Sequence, residues 1–158
     1  MNSGLTHTPI LPLFLRIPVR LLPFRLYNSL FCRIMNQLLQ QQIDDDELEF
    51  LTGRRVAIQL ADVGLSFKFT LRQQKITPLE LGTTSDLTMQ GSVYDFLLML
   101  SRREDPDTLF FNRRLKLSGD TELGLYVKNF LDGIEITDQW KYIQLLSDRA
   151  TQIAERIG

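Results

Sequence analysis

The chain has a single cysteine and a single histidine among its 158 residues. One cysteine, Cys32, excludes an intrachain disulfide and any multi-cysteine metal site or iron–sulfur cluster held by this chain alone. The one histidine, His7, lies close to a terminus, where chains fray and a general base is poorly held. Long apolar runs are also missing. The most apolar stretch, PILPLFLRIPVRLLPF from Pro9, is broken by Arg16 and Arg20, whereas a spanning helix needs roughly 20 mostly apolar residues. No basic residue precedes that stretch and prolines interrupt it, so it fits a secretory signal poorly. With a lone cysteine, the expected compartment is the cytoplasm. No GxSxG, phosphate-loop, GxGxxG or HExxH spacing occurs.

Charge of one sign is scarce too. Eighteen Lys and Arg against nineteen Asp and Glu leave a net charge of −1, which argues against a general nucleic-acid binder. The sum hides an asymmetry. Residues 1–43 carry Arg16, Arg20, Arg25 and Arg33 and no acid, and they hold four of the six prolines. The remainder carries an acidic excess of five. This composition change divides the chain near Asp44. Residues 1–43 form a basic amphipathic strap and helix, 44–136 the main domain, and 137–158 a C-terminal helix. A chain 44% hydrophobic and 23% charged is an ordinary globular mixture, large enough for a sizeable core.

Pro18 and Pro23 prevent one regular helix over 9–25, which reads as short turns or an extended strap. From Leu26, apolar residues recur at three- and four-residue steps up to Leu39, an amphipathic helix ending near Gln40–Gln42. DDDELE from Asp44 then reads as the acidic opening turn of a second short segment that stops at Gly53. Val56, Ile58 and Leu60 alternate with Ala57 and Gln59; Phe67, Phe69 and Leu71 alternate with Lys68 and Thr70. The two runs predict an antiparallel hairpin. Weaker strands follow at Lys75–Leu81 and Leu87–Gln90. Ser92 with Asp95 marks a helix start for VYDFLLMLSRR. Glu104–Arg114 reads as a charged loop, Leu115–Gly119 as a fifth strand, and Asp120 as the N-cap of the next helix. The last helix places Ile143, Leu146, Ala150, Ile153 and Ile157 on one stripe, with Trp140 at its start. The expected class is α+β with a mainly antiparallel sheet.

Little here is equipped for catalysis. Cys32 lies within a helical apolar pattern and reads as a small buried hydrophobe. An acyl- or thiol-transfer enzyme using it is the catalytic alternative. Asp44, Asp45, Asp46 and Glu47 lack the alternating spacing and glycine of a calcium loop. The doublets Arg54–Arg55, Arg102–Arg103 and Arg113–Arg114 either pair with neighbouring acids or anchor a headgroup or acidic partner. The apolar surplus is more informative. Phe67, Phe69, Phe96, Leu97, Met99, Leu100, Phe110, Phe111 and Phe130 either fill a core or line a lipid cavity, and composition does not choose between these.

GRRVAIQL from Gly53, VGLSFKFTL from Val63, TSDLTMQGSVYDFLLML from Thr84 and RRLKLSGDTELG from Arg113 occur in that order. Together they resemble a sterol carrier protein type 2 domain, whose signature is matched by Asp86, Leu87, Thr88, Gly91, Asp95 and Leu98, then Leu115, Leu117, Gly119 and Asp120. DPDTLFFNRRLKLSGDTELGLYVKNFLDGIE from Asp105, DDDELEFLTGR from Asp44 and PVRLLPF from Pro18 are similar, more narrowly, to the bacterial sterol-carrier-like accessory factors of oxygen-independent ubiquinone biosynthesis. The resemblance implies a five-stranded sheet covered by helices around an apolar lipid pocket. It implies a non-enzymatic role without a cofactor: binding a prenylated quinone precursor, phospholipid or other lipid and presenting the precursor to ring-hydroxylating enzymes. The implied partners are peptidase-like iron–sulfur hydroxylases, which would carry the clusters that one cysteine cannot. On this reading Phe67, Phe69, Phe96, Leu97, Leu100, Phe110, Phe111 and Phe130 border the pocket. Leu13, Phe14, Arg16, Arg20, Leu21, Leu22, Phe24 and Arg25 would meet a membrane surface, making the protein peripheral to the inner membrane. Packing of the strap on its own domain, or on a second copy in a homodimer, is the competing reading. A scaffold that joins biosynthetic enzymes and carries no lipid is the competing function.

Overall fold

Pro23, with its φ of −57°, sets the backbone for the first helix, α1, Phe24–Leu38. The computed structural model describes residues 21–134 and 138–157, the side chains of 138–144 and 147 excepted. Leu39 interrupts the helical path, and a second short helix, α2, covers Gln40–Asp44. The acids that follow end a helix where the sequence suggested they open one. Asp45 caps α2 and Asp46 takes a φ of +58°. Ile43 and Leu48 are each 2% exposed. Anchoring both in the core leaves the residues between them as a tight solvent turn, for which aspartate is suited. A 3-10 turn, Glu49–Leu51, leads into the sheet.

Five strands follow: β1 Val56–Leu60, β2 Leu65–Arg72, β3 Lys75–Pro78, β4 Leu87–Gly91 and β5 Lys116–Gly119. Their spatial order is β3-β2-β1-β4-β5. β1–β2, β2–β3 and β4–β5 are antiparallel, but the central β1–β4 pair is parallel, so the sheet is mixed. The register pairs Val56 with Phe69 and Leu87, and Ile58 with Phe67 and Met89. With Leu71 opposite Ile76, and Leu117 opposite Met89, one face is continuously apolar. The alternate positions, Gln59, Ser66, Lys68, Thr70, Thr88 and Gln90, are polar.

α1 is tied to the β2–β3 side of the sheet by two asparagines that act like a further strand. Asn28 accepts from the Lys68 N–H at 2.9 Å and donates to the Lys68 and Leu79 carbonyls at 2.9 and 3.2 Å. Asn36 accepts from the Ile76 N–H at 2.7 Å and donates to its carbonyl at 2.8 Å. Backbone groups that would otherwise face water at a strand edge are thereby satisfied.

α3, Val93–Leu100, starts as the Ser92–Asp95 spacing suggested. The Ser92 hydroxyl accepts from the Asp95 N–H at 3.1 Å, and Asp62 accepts from the Val93 N–H at 3.1 Å. The expected charged loop at Glu104–Arg114 contains a helix, α4, Pro106–Phe111. Asp105 accepts from the Thr108 N–H at 2.8 Å, and proline sits where a missing N–H costs nothing. α5, Thr121–Gly133, begins where Asp120 accepts from the Leu123 N–H at 3.0 Å. α6, Asp138–Ile157, packs along α3. Tyr94 donates to Glu155 at 2.9 Å, and Arg103 pairs with Asp148 at 3.2 Å and with Glu155 at 3.3 Å. The stripe Leu146, Ala150, Ile153 and Ile157 of α6 faces solvent, while Thr151 is fully buried. Ile143 and Trp140 lie outside the residues with described side chains.

Candidate lipid site

The apolar face of the sheet is closed at one end and open at the other. Val56, Phe69 and Leu71 are buried, whereas Ile58, Leu60, Leu65 and Phe67 are only half-buried. α1 covers this face with aromatic rings. Phe31 stacks on Phe67 with centroids 4.3 Å apart and lies 6.0 Å from Phe69, and Tyr27 meets Phe67 edge-on at 5.6 Å. α5 adds Val127, Phe130 and Ile134, with Phe130 6.2 Å from Phe50. Phe31, Phe50, Val127, Phe130 and Ile134 pack against a core cluster containing Cys32, Leu39, Leu51, Phe69, Ile76, Leu87 and Leu123.

A second cluster is built from Met99, Leu109 and Leu115, with Phe96, Phe110 and Leu131 packed against it. The suggested pocket residues therefore divide. Phe69 and Phe130 join the first cluster, Phe96 and Phe110 the second, and Phe67 meets Phe31 and Tyr27 at the margin of the first. Leu97 and Leu100 are half-buried on α3. Phe111, 88% exposed, joins neither. α5 serves both clusters, through Phe130 toward the first and Leu131 toward the second. Of the suggested membrane contacts, Leu21, Leu22 and Arg25 are exposed and Phe24 is half-buried; Arg25 pairs with Glu80 at 3.2 Å. Leu13, Phe14, Arg16 and Arg20 lie outside the described residues, as does His7.

The charged signature residues hold the fold together. Asp86 accepts from the Arg55 N–H at 2.8 Å and pairs with its guanidinium at 2.9 Å. Asp120 caps α5 and pairs with Arg54, and its N–H donates to the Asp86 carbonyl at 2.8 Å. Arg103 and Arg114 are likewise engaged, Arg114 with buried Asp95, while Arg102 donates to the Ile134 carbonyl at 2.8 Å. Of the six doublet arginines, Arg54, Arg55, Arg103 and Arg114 pair with acids, and among the described residues Arg102 and Arg113 do not.

Hydrogen bonds from Arg55 hold the Asp86 carboxyl below its ordinary 3.8. The Leu123 N–H and then Arg54 do so for Asp120, and the Thr108 N–H does so for Asp105. A carboxyl lowered in the folded state stabilises above its unfolded value, and that contribution is lost as pH falls through the folded value. Urea midpoints should therefore drop below about pH 4. The drop should shrink in Arg55→Gln, which removes the largest cause acting on Asp86.

Cys32 is 2% exposed, and burial raises its thiol to about 11. At neutral pH it is protonated and out of reach, the opposite of an activated nucleophile. Cys32→Ser should leave lipid content and pathway activity unchanged while lowering stability by about 1 kcal/mol. Complete loss of activity in a folded variant would restore the transfer-enzyme alternative. Among the described residues, no group of three or more His, Cys, Asp or Glu side chains could hold a metal ion. No helix among them is long and apolar enough to cross a membrane.

Residues 35–132 match the model of the SCP-2 sterol transfer family. The chain belongs to that family. Within it, the chain is 38% identical over 146 residues to the ubiquinone biosynthesis accessory factor UbiT of Escherichia coli K12, covering 92% of this chain and 82% of that one. The UbiT of Escherichia coli O157:H7 gives the same figures. The solved UbiJ-SCP2 ubiquinone synthesis protein shares the fold, with a TM-score of 0.56 at 16% identity over 70% of this chain and 97% of that one. The sequence reading of this SCP-2 chain missed Asn28 and Asn36, because a strand-edge contact leaves no local pattern. It also missed Phe31 and Phe50 as site residues, although the four-residue step from Tyr27 to Phe31 places both rings on one side of α1.

Proposed function

We propose that this protein is a non-catalytic, lipid-binding accessory factor of ubiquinone biosynthesis. It binds a prenylated quinone precursor and presents it to the ring-hydroxylating, peptidase-like iron–sulfur enzymes of an oxygen-independent route. The observation that carries the lipid reading is the half-buried end of the apolar sheet face, where Phe67 stacks on Phe31 and stands opposite Ile58. Membership of the SCP-2 family and the 38% identity to UbiT support the pathway. The lipid tail lies along the seam between the two apolar clusters, bordered by Phe67, Phe69, Phe96, Leu97, Leu100, Phe110 and Phe130, with residues 44–136 as the lipid-binding unit. Each methylene taken from water is worth about 0.8 kcal/mol, so a polyprenyl tail leaves a bilayer only into comparable apolar cover. The basic strap and Phe24 lie at the inner-membrane surface, where loading takes place.

The experiment that tests this reading measures quinone content in cells lacking the gene and grown without oxygen. Ubiquinone should fall, with its unhydroxylated precursor accumulating, and a plasmid copy should restore it. Normal ubiquinone in the deletion strain would overturn the reading. Within the same assay, Phe111 separates presentation from binding. A phenylalanine 88% exposed beside a buried Leu109 contributes little to the fold and suits contact with a partner enzyme. Phe111→Ala should leave the unfolding midpoint within about 0.5 kcal/mol of wild type and lower ubiquinone yield several-fold. Unchanged yield would remove Phe111 from the partner surface.

A further inference from the structure

The two edges of the sheet are finished differently. At β3, Asn36 accepts from the Ile76 N–H at 2.7 Å and donates to its carbonyl at 2.8 Å, so that edge is closed from within. β5 is the other edge and pairs only with β4. The Asp120 N–H donates to the Asp86 carbonyl at 2.8 Å, which continues the ladder of Thr88 with Ser118 and Gln90 with Lys116. In an antiparallel ladder every second residue turns both backbone groups to its neighbour, and the residues between turn theirs away. Leu117 and Gly119 therefore present two N–H groups and two carbonyls outward. Among the described residues, no group beyond β5 bonds to them. The space beside them is open. A groove of about 240 Å³ runs between this edge and α5, lined by Leu117, Gly119, Gly124, Leu125 and Lys128 among others. Ser118 and Gly119 are exposed, and Leu125 is 54% exposed.

This edge is complementary to itself. Two copies of β5 set antiparallel about Ser118 place Leu117 opposite Gly119 of the second copy, and every outward donor of one meets an outward acceptor of the other. Moving the centre to Leu117 would set Gly119 opposite Leu115, whose N–H is already given to the Leu109 carbonyl at 3.1 Å. Moving it to Gly119 would set Leu117 opposite Thr121, the first residue of α5. Only the centre at Ser118 uses the whole edge. The side chains agree with that register. Ser118 meets its own counterpart, small and uncharged. Lys116, exposed and in no ion pair among the described residues, comes opposite the Asp120 carboxylate of the second copy. Leu117 comes opposite a glycine, which leaves the groove free for Leu125 of the second copy. An unrelated extended segment would satisfy the backbone groups alone; the match of Lys116 to Asp120 and of Leu117 to Gly119 selects a second copy.

We propose that two copies of this chain pair through β5 into one continuous ten-stranded sheet, with Ser118 on the two-fold axis. The axis stands perpendicular to the sheet, so the two apolar faces and their helical covers lie on the same side of it. The pairing goes beyond the carrier reading and does not depend on it.

The test combines analytical ultracentrifugation of the full-length protein over a range of concentrations with cross-linking. The wild type should form a dimer that dissociates on dilution. Opposed residues of a non-hydrogen-bonded antiparallel pair have Cα atoms about 4.5 Å apart, within reach of a disulfide. Mild oxidation should therefore link most Ser118→Cys chains into dimers. The wild type, whose Cys32 is 2% exposed, and Gln73→Cys, at the exposed turn between β2 and β3, should stay unlinked. Leu125→Glu should raise the dimer dissociation constant at least about tenfold, and Lys116→Glu, set against Asp120, about threefold or more, both with a native circular dichroism spectrum. A wild type that is monomeric at every concentration would overturn the proposal. So would a dimer whose Ser118→Cys thiols stay unlinked, because such a dimer pairs through another face. Should Ser118→Cys fail to fold, Leu125→Glu decides alone, and undiminished dimerisation by that variant overturns the proposal. Lipid carried by these samples bears only on the carrier function.

Discussion

Gly119→Ala should lower the free energy of unfolding by about 3 kcal/mol or more, enough to leave a small domain largely unfolded at moderate temperature. Gly119 has a φ of +105°, a conformation that side-chain-bearing residues rarely adopt. A methyl group there would lie 2.3 Å from the Asp86 carbonyl oxygen and 3.1 Å from its carbon. That oxygen cannot retreat, because it accepts from the Asp120 N–H at 2.8 Å. The substitution would therefore separate β5 from β4 and displace the cap of α5 together. Gly82→Ala is the matched control. An added methyl at Gly82 meets nothing within 4 Å, and its effect should stay within about 1 kcal/mol. Equal urea midpoints for the two variants would show that the glycine of the signature is dispensable.

Asp95→Ala should cost about 3 kcal/mol. Asp95 is 4% exposed and carries two duties. It accepts from the Ser92 hydroxyl at 2.7 Å at the start of α3, and it pairs with Arg114, whose guanidinium lies 5.7 Å from the Tyr94 ring centroid. Removing the carboxylate leaves a part-buried cation without its partner. Asp95→Leu combined with Arg114→Met should lose less than the two single changes summed, because both charges then disappear together. A double-mutant cycle on urea midpoints reads that coupling directly, and strict additivity would mean that the pair contributes nothing.

Much of this architecture was legible in the sequence, for identifiable reasons. The β1–β2 hairpin follows from two-residue alternation on both sides of Asp62–Gly64. Ser92 and Asp120 mark the starts of α3 and α5 because a side-chain oxygen and its backbone target are three residues apart in the chain. What escaped was non-local. Nothing near Leu87 states that β4 lies parallel to β1, since that pairing is chosen by how the chain returns after β3. The acids after Ile43 looked like a helix opening because local charge favours one. Two buried anchors, Ile43 and Leu48, instead make them a turn. The helix Pro106–Phe111 was hidden by the charges around it, although Asp105 and Pro106 are a helix-opening pair. The candidate site was legible as residue types and not as positions. Phe67 and Phe96 share an apolar character, but only the fold sets one against Phe31 of α1 and the other against the cluster that holds Leu109 of α4.

The most direct test of the lipid-binding role is native mass spectrometry of the full-length protein purified without detergent, followed by solvent extraction and identification of what it holds. The measurement is repeated for Phe67→Asp, which places a charge at the half-open end of the apolar sheet face without removing a fully buried side chain. A quinone precursor or other apolar-tailed lipid should accompany the wild-type chain and be strongly depleted from the folded variant. Protein that carries no lipid, or a variant that retains it in full, would contradict binding at that face.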